Sequence, residues 1–157
     1  MAIRRVYLLL GLLLALCLAY GLPAPVQAQS SSPLEVVDAT VRVPLPGKNT
    51  TSAYFLLRNT SDKPMTLTGV TAAFAQRAEI HSHQMVEGMM RMRPVESVTV
   101  PAQGTLRFQS GGHHIMLFDL DRRPRTGDPL HLTLSFEGGA EVPVKAFAVS
   151  VFDRPHH

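Results

Sequence analysis

Apolar and polar residues alternate along most of the chain between residues 34 and 151, which is typical of β-strands. The segments are rich in Val, Thr, Leu and Phe, and turns containing Gly, Pro, Asn and Asp separate them. No segment of useful length shows the period of an amphipathic helix. The pattern predicts an all-β domain of about nine short strands, arranged as an antiparallel Greek-key β-sandwich or barrel.

The first 28 residues have the pattern of a secretory signal peptide. Arg4 and Arg5 precede an apolar run over residues 6–20, and small residues allow cleavage before Gln29. An uncleaved membrane anchor is the alternative, but the run is short of the roughly 20 residues that a span needs. We expect a signal peptide at 1–28, a flexible leader at 29–33, the β-sandwich at 34–151 and a C-terminal tail at 152–157, with no stable membrane span after cleavage.

The only cysteine lies inside the predicted signal peptide. A lipoprotein would carry a small residue immediately before Cys17, where this chain has Leu16. We therefore expect a periplasmic or extracytoplasmic protein without disulfide or thiol chemistry. Without its first 28 residues the chain has 13 basic and 12 acidic residues, so its charge does not favour nucleic acid as a partner.

Histidine and methionine are concentrated between residues 81 and 116. This stretch holds four of the seven histidines and five of the seven methionines, and no cysteine. Imidazole nitrogen and thioether sulfur suit monovalent copper, and they suit calcium or magnesium poorly. The composition of this stretch predicts a Cu(I) site.

A hairpin of residues 77–86 and 89–94 organises the candidate ligands. A two-residue turn at Glu87-Gly88 would pair Val86 with Met89, Met85 with Met90 and His83 with Met92. Because directly opposite residues share a face and alternate residues share a face, the potential ligands gather on one side of the hairpin. They are His81, His83, Met85, Met90 and Met92.

A second strand, predicted at residues 114–120, carries two more candidates. His114 and Met116 are two residues apart and share a face, whereas His113 points the other way. If the sheet brings this strand beside the hairpin, His81, Met92, His114 and Met116 can converge on one ion. Such neutral donors should hold Cu(I) and still release it to a stronger thiolate site.

The spacing of His81, Met92, His114 and Met116 resembles the signature of the periplasmic copper chaperones called PCuAC. Further similarity lies in residues 58–64, 90–95 and 112–117, and it extends over about 34–149. The resemblance implies a cupredoxin-like β-sandwich with these four residues as Cu(I) ligands. It also implies delivery of copper toward the copper A domain of cytochrome c oxidase subunit II, or exchange with a thiol copper chaperone. His83, Met85, Met89 and Met90 are auxiliary candidates.

Other functions are open to the same residues. Copper or silver sequestration would need the same ligands, and a β-sandwich interaction module would need none. The scattered carboxylates and the missing nucleophile motif give an enzyme little support, so we expect no catalysis. His131 is expected to be a surface residue, and auxiliary histidines, with His156 and His157 in the tail, could bind Cu(II).

Overall fold

The computed structural model describes residues 32–150, and these residues form β-strands joined by turns and loops. The predicted signal peptide, residues 29–31 of the leader and the tail at 152–157 lie outside the described residues. These residues contain ten strands, one more than the predicted count of about nine. They are β1 Leu34–Arg42, β2 Thr51–Asn59, β3 Met65–Ala72, β4 Ala75–Val86, β5 Met89–Pro94, β6 Val98–Val100, β7 Thr105–Phe108, β8 His114–Leu120, β9 Pro129–Phe136 and β10 Glu141–Val149.

Seven of the strands close into a ring. Their order is β4-β8-β2-β1-β10-β9-β3, and one pair, Ala72 with Ala75, joins β3 back to β4. Among the strands of the described residues, β1–β10 is the only parallel pair, and one isolated parallel bridge joins Phe108 to His113. β5, β6 and β7 add to this ring by pairing with β4, β3 and β2, respectively. The all-β prediction is confirmed.

Alternation of apolar residues places the core inside this ring. On β10, Val142, Val144, Ala146 and Ala148 are buried, and the residues between them are exposed. Phe55 of β2 and Phe108 of β7 stack with their ring centroids 4.4 Å apart. Fully burying one large apolar side chain stabilises a fold by about 1.5–3 kcal/mol, so burial on this scale can hold the domain together without a disulfide.

Strand β6 is shorter than predicted. Residues 96–100 alternate in the sequence, but only Val98–Val100 pair with β3. Glu96 and Ser97 are exposed and connect β5, which pairs with β4, to β6, which pairs with β3. Because β5 and β6 pair with different strands, the residues that connect them cannot all belong to one β-ladder. The local alternation of apolar residues does not reveal this change of partner.

Strands β5, β4, β8 and β2 are neighbours in the sheet, and we call them the wall. The wall carries the candidate ligands His81, Met92, His114 and Met116. The inner face of this wall is apolar and includes the buried residues Ala53, Ile80 and Ile115. Because side chains alternate, the residues next to them, Ser52, His81 and His114, lie on the outer face. Over residues 32–150, no helix has the length and apolar character needed to cross a membrane.

Candidate metal centre

The hairpin of β4 and β5 has the predicted register. Val86 pairs with Met89, Met85 with Met90 and His83 with Met92. Glu87 and Gly88 both have positive φ values, 50° and 78°, as the two central residues of a type I′ hairpin turn require. The sequence prediction for this hairpin is therefore confirmed.

Strand β8 lies directly beside β4 and completes the centre. His81 is paired with His114, and their ring centroids are 5.8 Å apart. The ring of His83 is 5.3 Å from that of His114. The condition on which convergence depended, that the sheet bring β8 beside the hairpin, is met.

Both paired histidines are buried, although they lie on the outer face of the wall. His81 is 8% exposed and His114 is 2% exposed. Aromatic rings lie on either side of them: Phe118 is 6.2 Å from His81, and Tyr54 is 6.4 Å from His114, between ring centroids. These rings exclude water from much of the surface of the two imidazoles.

Arginines extend this aromatic frame. The guanidinium of Arg77 lies 4.0 Å from the centre of the Phe118 ring, and that of Arg42 lies 4.9 Å from the centre of the Tyr54 ring. Such cation–π contacts add about 0.5–1 kcal/mol at exposed sites and hold the rings in place. The centre therefore sits between two supported aromatic side chains.

Each buried imidazole uses one nitrogen to bond the protein. Nε2 of His81 lies 2.8 Å from Oε2 of Glu79, and Nδ1 of His114 lies 3.1 Å from the carbonyl oxygen of Gly112. Carboxylate and carbonyl oxygens only accept, so these nitrogens carry the protons and donate. This arrangement fixes the ring orientation and tautomer, as outer partners of metal-binding histidines do.

The other nitrogen of each ring has no partner. Nδ1 of His81 and Nε2 of His114 are buried and make no hydrogen bond with the described residues. In a neutral ring these atoms are lone pairs, and a buried acceptor left unpaired costs about 1–3 kcal/mol. A metal ion bound through these two atoms would recover this cost, so the centre fits a metal.

The surroundings of His114 favour its neutral form. Burial lowers the pKa of His114, although the Gly112 carbonyl opposes this, and the neighbouring histidines lower it further. The hydrogen bond from His81, together with Arg77, holds the pKa of Glu79 below its ordinary value. A neutral His114 is the form that can bind a metal.

Met116 lies on the same outer face as the two histidines. It pairs with Glu79 of β4 and with Ser52 of β2. The Ser52 hydroxyl lies 3.2 Å from its sulfur and donates to it, which orients the thioether. One sulfur lone pair remains for another partner.

Met92 belongs to the same face but is less enclosed. It is opposite His83 and diagonal to His81, whose direct partner is Pro94. It is 46% exposed, and Met85 and Met90, one step nearer the turn, are 65% and 56% exposed. The structure thus buries His81 and His114, leaves Met116 partly buried on the same face, and places Met92 at the open edge.

Two other histidines lie outside the centre. His113 contacts the ring of Phe108, with 6.1 Å between centroids, so it turns away from His114 as predicted. His131 is exposed on β9, as expected. Among the described residues no three His, Cys, Asp or Glu side chains are grouped to hold a metal.

Sequence reasoning did not identify Glu79, Ser52 or the Gly112 carbonyl. Glu79 could have been found, because it precedes His81 by two residues and so shares its face. Ser52 reaches the centre through the pairing of β2 with β8, which cannot be read from local spacing. Gly112 precedes His114 by two residues, but that spacing does not show that its backbone carbonyl accepts a hydrogen bond from the ring.

The hydrogen bonds predict opposite tautomers for the paired histidines. In the metal-free protein at about pH 8, where an ordinary imidazole is neutral, His81 should carry its proton on Nε2 and His114 on Nδ1. Long-range ¹H–¹⁵N correlation spectra distinguish the two forms. Exposed His131 serves as the control and should show averaged tautomers, and the same tautomer at His81 and His114 would contradict the assigned donors.

Comparison with known proteins identifies the family. The family model described as "Putative lipoprotein LpqE-like" matches residues 34–149. "Putative lipoprotein Lxx21020" of Leifsonia xyli subsp. xyli is 30% identical over 135 residues, covering 83% of this chain and 81% of that protein.

Solved structures share the fold. The solution structure of CuI-DR1885 from Deinococcus radiodurans is 32% identical, covers 83% of this chain and 85% of its own, and has a TM-score of 0.62. The copper-bound PCuAC domain from PmoF2 is 24% identical, covers 75% of this chain and 93% of its own, and has a TM-score of 0.64. At that identity the second likeness shows the fold alone, and the predicted cupredoxin-like sandwich is confirmed. The chain belongs to the LpqE-like family, and its resemblance to the PCuAC copper chaperones is confirmed.

Proposed function

We propose that this protein is an extracytoplasmic Cu(I)-binding metallochaperone. The observation that carries the proposal is that Nδ1 of His81 and Nε2 of His114 are buried without a partner, in rings whose centroids are 5.8 Å apart on the face that also carries Met116 and Met92. The two thioethers complete a set of neutral, soft donors. The Cu(I) form of DR1885 and the copper-bound domain of PmoF2 have the same fold, which agrees with this assignment.

The ligand set selects the monovalent ion. Four neutral donors bring no negative charge into the half-enclosed site, so a monovalent ion leaves less positive charge uncompensated there than a divalent ion would. The soft sulfur atoms also favour Cu(I). The carboxylate of Glu79 is occupied with His81, and the described residues offer no thiolate. Zinc and copper(II), which gain from charged or harder ligands, are less well served.

The same ligand set allows Cu(I) to be released to an acceptor. Thioethers bind without losing a proton, and a thiolate acceptor offers a stronger bond to Cu(I). Met92 is the ligand that an acceptor reaches first, because it is 46% exposed, whereas His81 and His114 are buried and Met116 is partly buried. We infer that the acceptor is the copper A domain of cytochrome c oxidase subunit II or a thiol copper chaperone, and that this chain carries out no catalysis itself.

Export follows from the same proposal. The relative and the family are both described as lipoproteins, which agrees with a location outside the cytoplasm. In this chain Leu16 precedes Cys17, so we propose cleavage before Gln29 and not lipid attachment at Cys17. Sequencing the N-terminus of the exported protein tests this, with Gln29 expected first and a modified Cys17 as the contrary result.

Loss of a single ligand should weaken Cu(I) binding sharply. Replacing even an outer partner of a metal ligand costs about 10–100-fold in affinity, so His114→Ala and Met92→Leu should each cost at least about tenfold. Met92→Leu keeps the apolar volume and removes only the sulfur donor. Anaerobic competition of the protein with a colorimetric Cu(I) chelator measures both changes.

Matched substitutions outside the centre provide the controls. His131→Ala and Met65→Leu change the same residue types on β9 and β3 and should leave the affinity unchanged. If His114→Ala and Met92→Leu behave like these controls, the cluster is a packed surface patch. The chain would then be an interaction module.

A transfer assay separates delivery from copper or silver sequestration. Protein carrying one equivalent of Cu(I) is mixed anaerobically with an apo copper A domain or a reduced thiol chaperone, and copper is measured in each after separation. Because thiolates bind Cu(I) more strongly than thioethers, most of the copper should move to the acceptor. Copper that stays with this chain when acceptor is in excess would indicate sequestration.

A further inference from the structure

The tip of the β4–β5 hairpin exposes methionines that the proposed centre does not use. Met85 is 65% exposed and Met90 is 56% exposed, and every residue of β5 is exposed. A contiguous exposed apolar patch, unlike a single exposed residue, is typical of a ligand-binding or interaction site. These two are directly opposite each other in the ladder, on the same face as His83 and Met92.

Soft donors form successive cross-strand pairs, here called rungs, along the outer face of the hairpin. Its first rung is Met85 with Met90 and its second is His83 with Met92, and His81 follows beside His114. Successive rungs are about 7 Å apart along a strand. Exposure falls from the tip, at 65% and 56%, to the buried pair, at 8% and 2%.

The turn holds the first rung in register. Positive φ at both Glu87 and Gly88 makes a two-residue connection, so Met85 and Met90 cannot slide apart without breaking it. Directly opposite Cβ atoms in such a pair are about 4.5–5.5 Å apart. Flexible methionine side chains can bring two sulfurs at that spacing to one ion.

The donor atoms on the outer face of the β4–β5 hairpin suit a soft cation. Gln84 and Arg91 pair with each other on the opposite face, as do Val86 and Met89. Thioethers without carboxylate suit Cu(I) and do not suit calcium or magnesium. This exposed pair of donors should bind more weakly than the four-donor centre, in which both histidines are buried.

We propose that Met85 and Met90, assisted by Met92, form a second, weaker Cu(I) site through which the ion enters and leaves the His81–His114 centre. This inference rests on the proposed Cu(I) function and adds a route to it. Along the route, one bond from copper to a thioether or imidazole forms before the bond behind it breaks. The ion stays monovalent and every donor is neutral, so no electron or thioether proton moves.

Titration of the protein with Cu(I) under anaerobic conditions tests the tip site. With methionine labelled by ¹³C at the ε-methyl, the first equivalent should shift Met92 and Met116, and the second should shift Met85 and Met90. The double variant Met85→Leu, Met90→Leu should keep the first event and lose the second. Its loss of Cu(I) to a chelator should slow by about tenfold, because the exposed donors no longer receive the ion.

A matched double variant is the control. Met65→Leu with Met89→Leu removes two thioethers, one on β3 and one on the opposite face of the hairpin, and should keep both binding events and the transfer rate. If the methyl groups of Met85 and Met90 do not respond to the second equivalent, or if the two double variants behave alike, the tip site is overturned. The proposed function fails separately, by loss of the first event or its insensitivity to His114→Ala.

Discussion

The pairing of β4 with β8 is the constraint on which the candidate centre depends. It sets His81 directly opposite His114 and, two residues further along, Glu79 opposite Met116. The inner partners of the same ladder, Ile80 and Ile115, are buried in the core. The packing that stabilises the wall therefore also fixes the spacing of the candidate ligands on its outer face, and a slip of one residue would turn the histidines into the core.

Two opposing demands meet at this face. The ring nitrogens of an exposed imidazole would hydrogen-bond to water, and a buried imidazole without partners would destabilise the fold. The structure gives each ring one partner, Glu79 for His81 and the Gly112 carbonyl for His114, and leaves the other nitrogen buried and unpaired, with Phe118 near His81 and Tyr54 near His114. Binding of an ion would then supply the missing partner.

Much of this arrangement could be predicted from the sequence, because it depends on local geometry. A two-residue turn and the alternation of strand side chains gave the register of Met85, His83 and their partners. The cover over the histidines could not be predicted. Tyr54 and Phe118 reach the centre through pairings between distant strands, and residues 96–100 did not reveal that the chain changes partners before β6. Long-range pairing is a property of the whole sheet, and short patterns carry little of it.

X-ray absorption at the copper edge, on protein loaded with one equivalent of Cu(I), tests the central claim most directly. Imidazole nitrogen and thioether sulfur scatter differently and lie at different distances from the ion. The account predicts a shell that contains both, and the nitrogen contribution should fall when His114 is replaced by alanine. A shell of sulfur alone, or one of nitrogen and oxygen without sulfur, would contradict it.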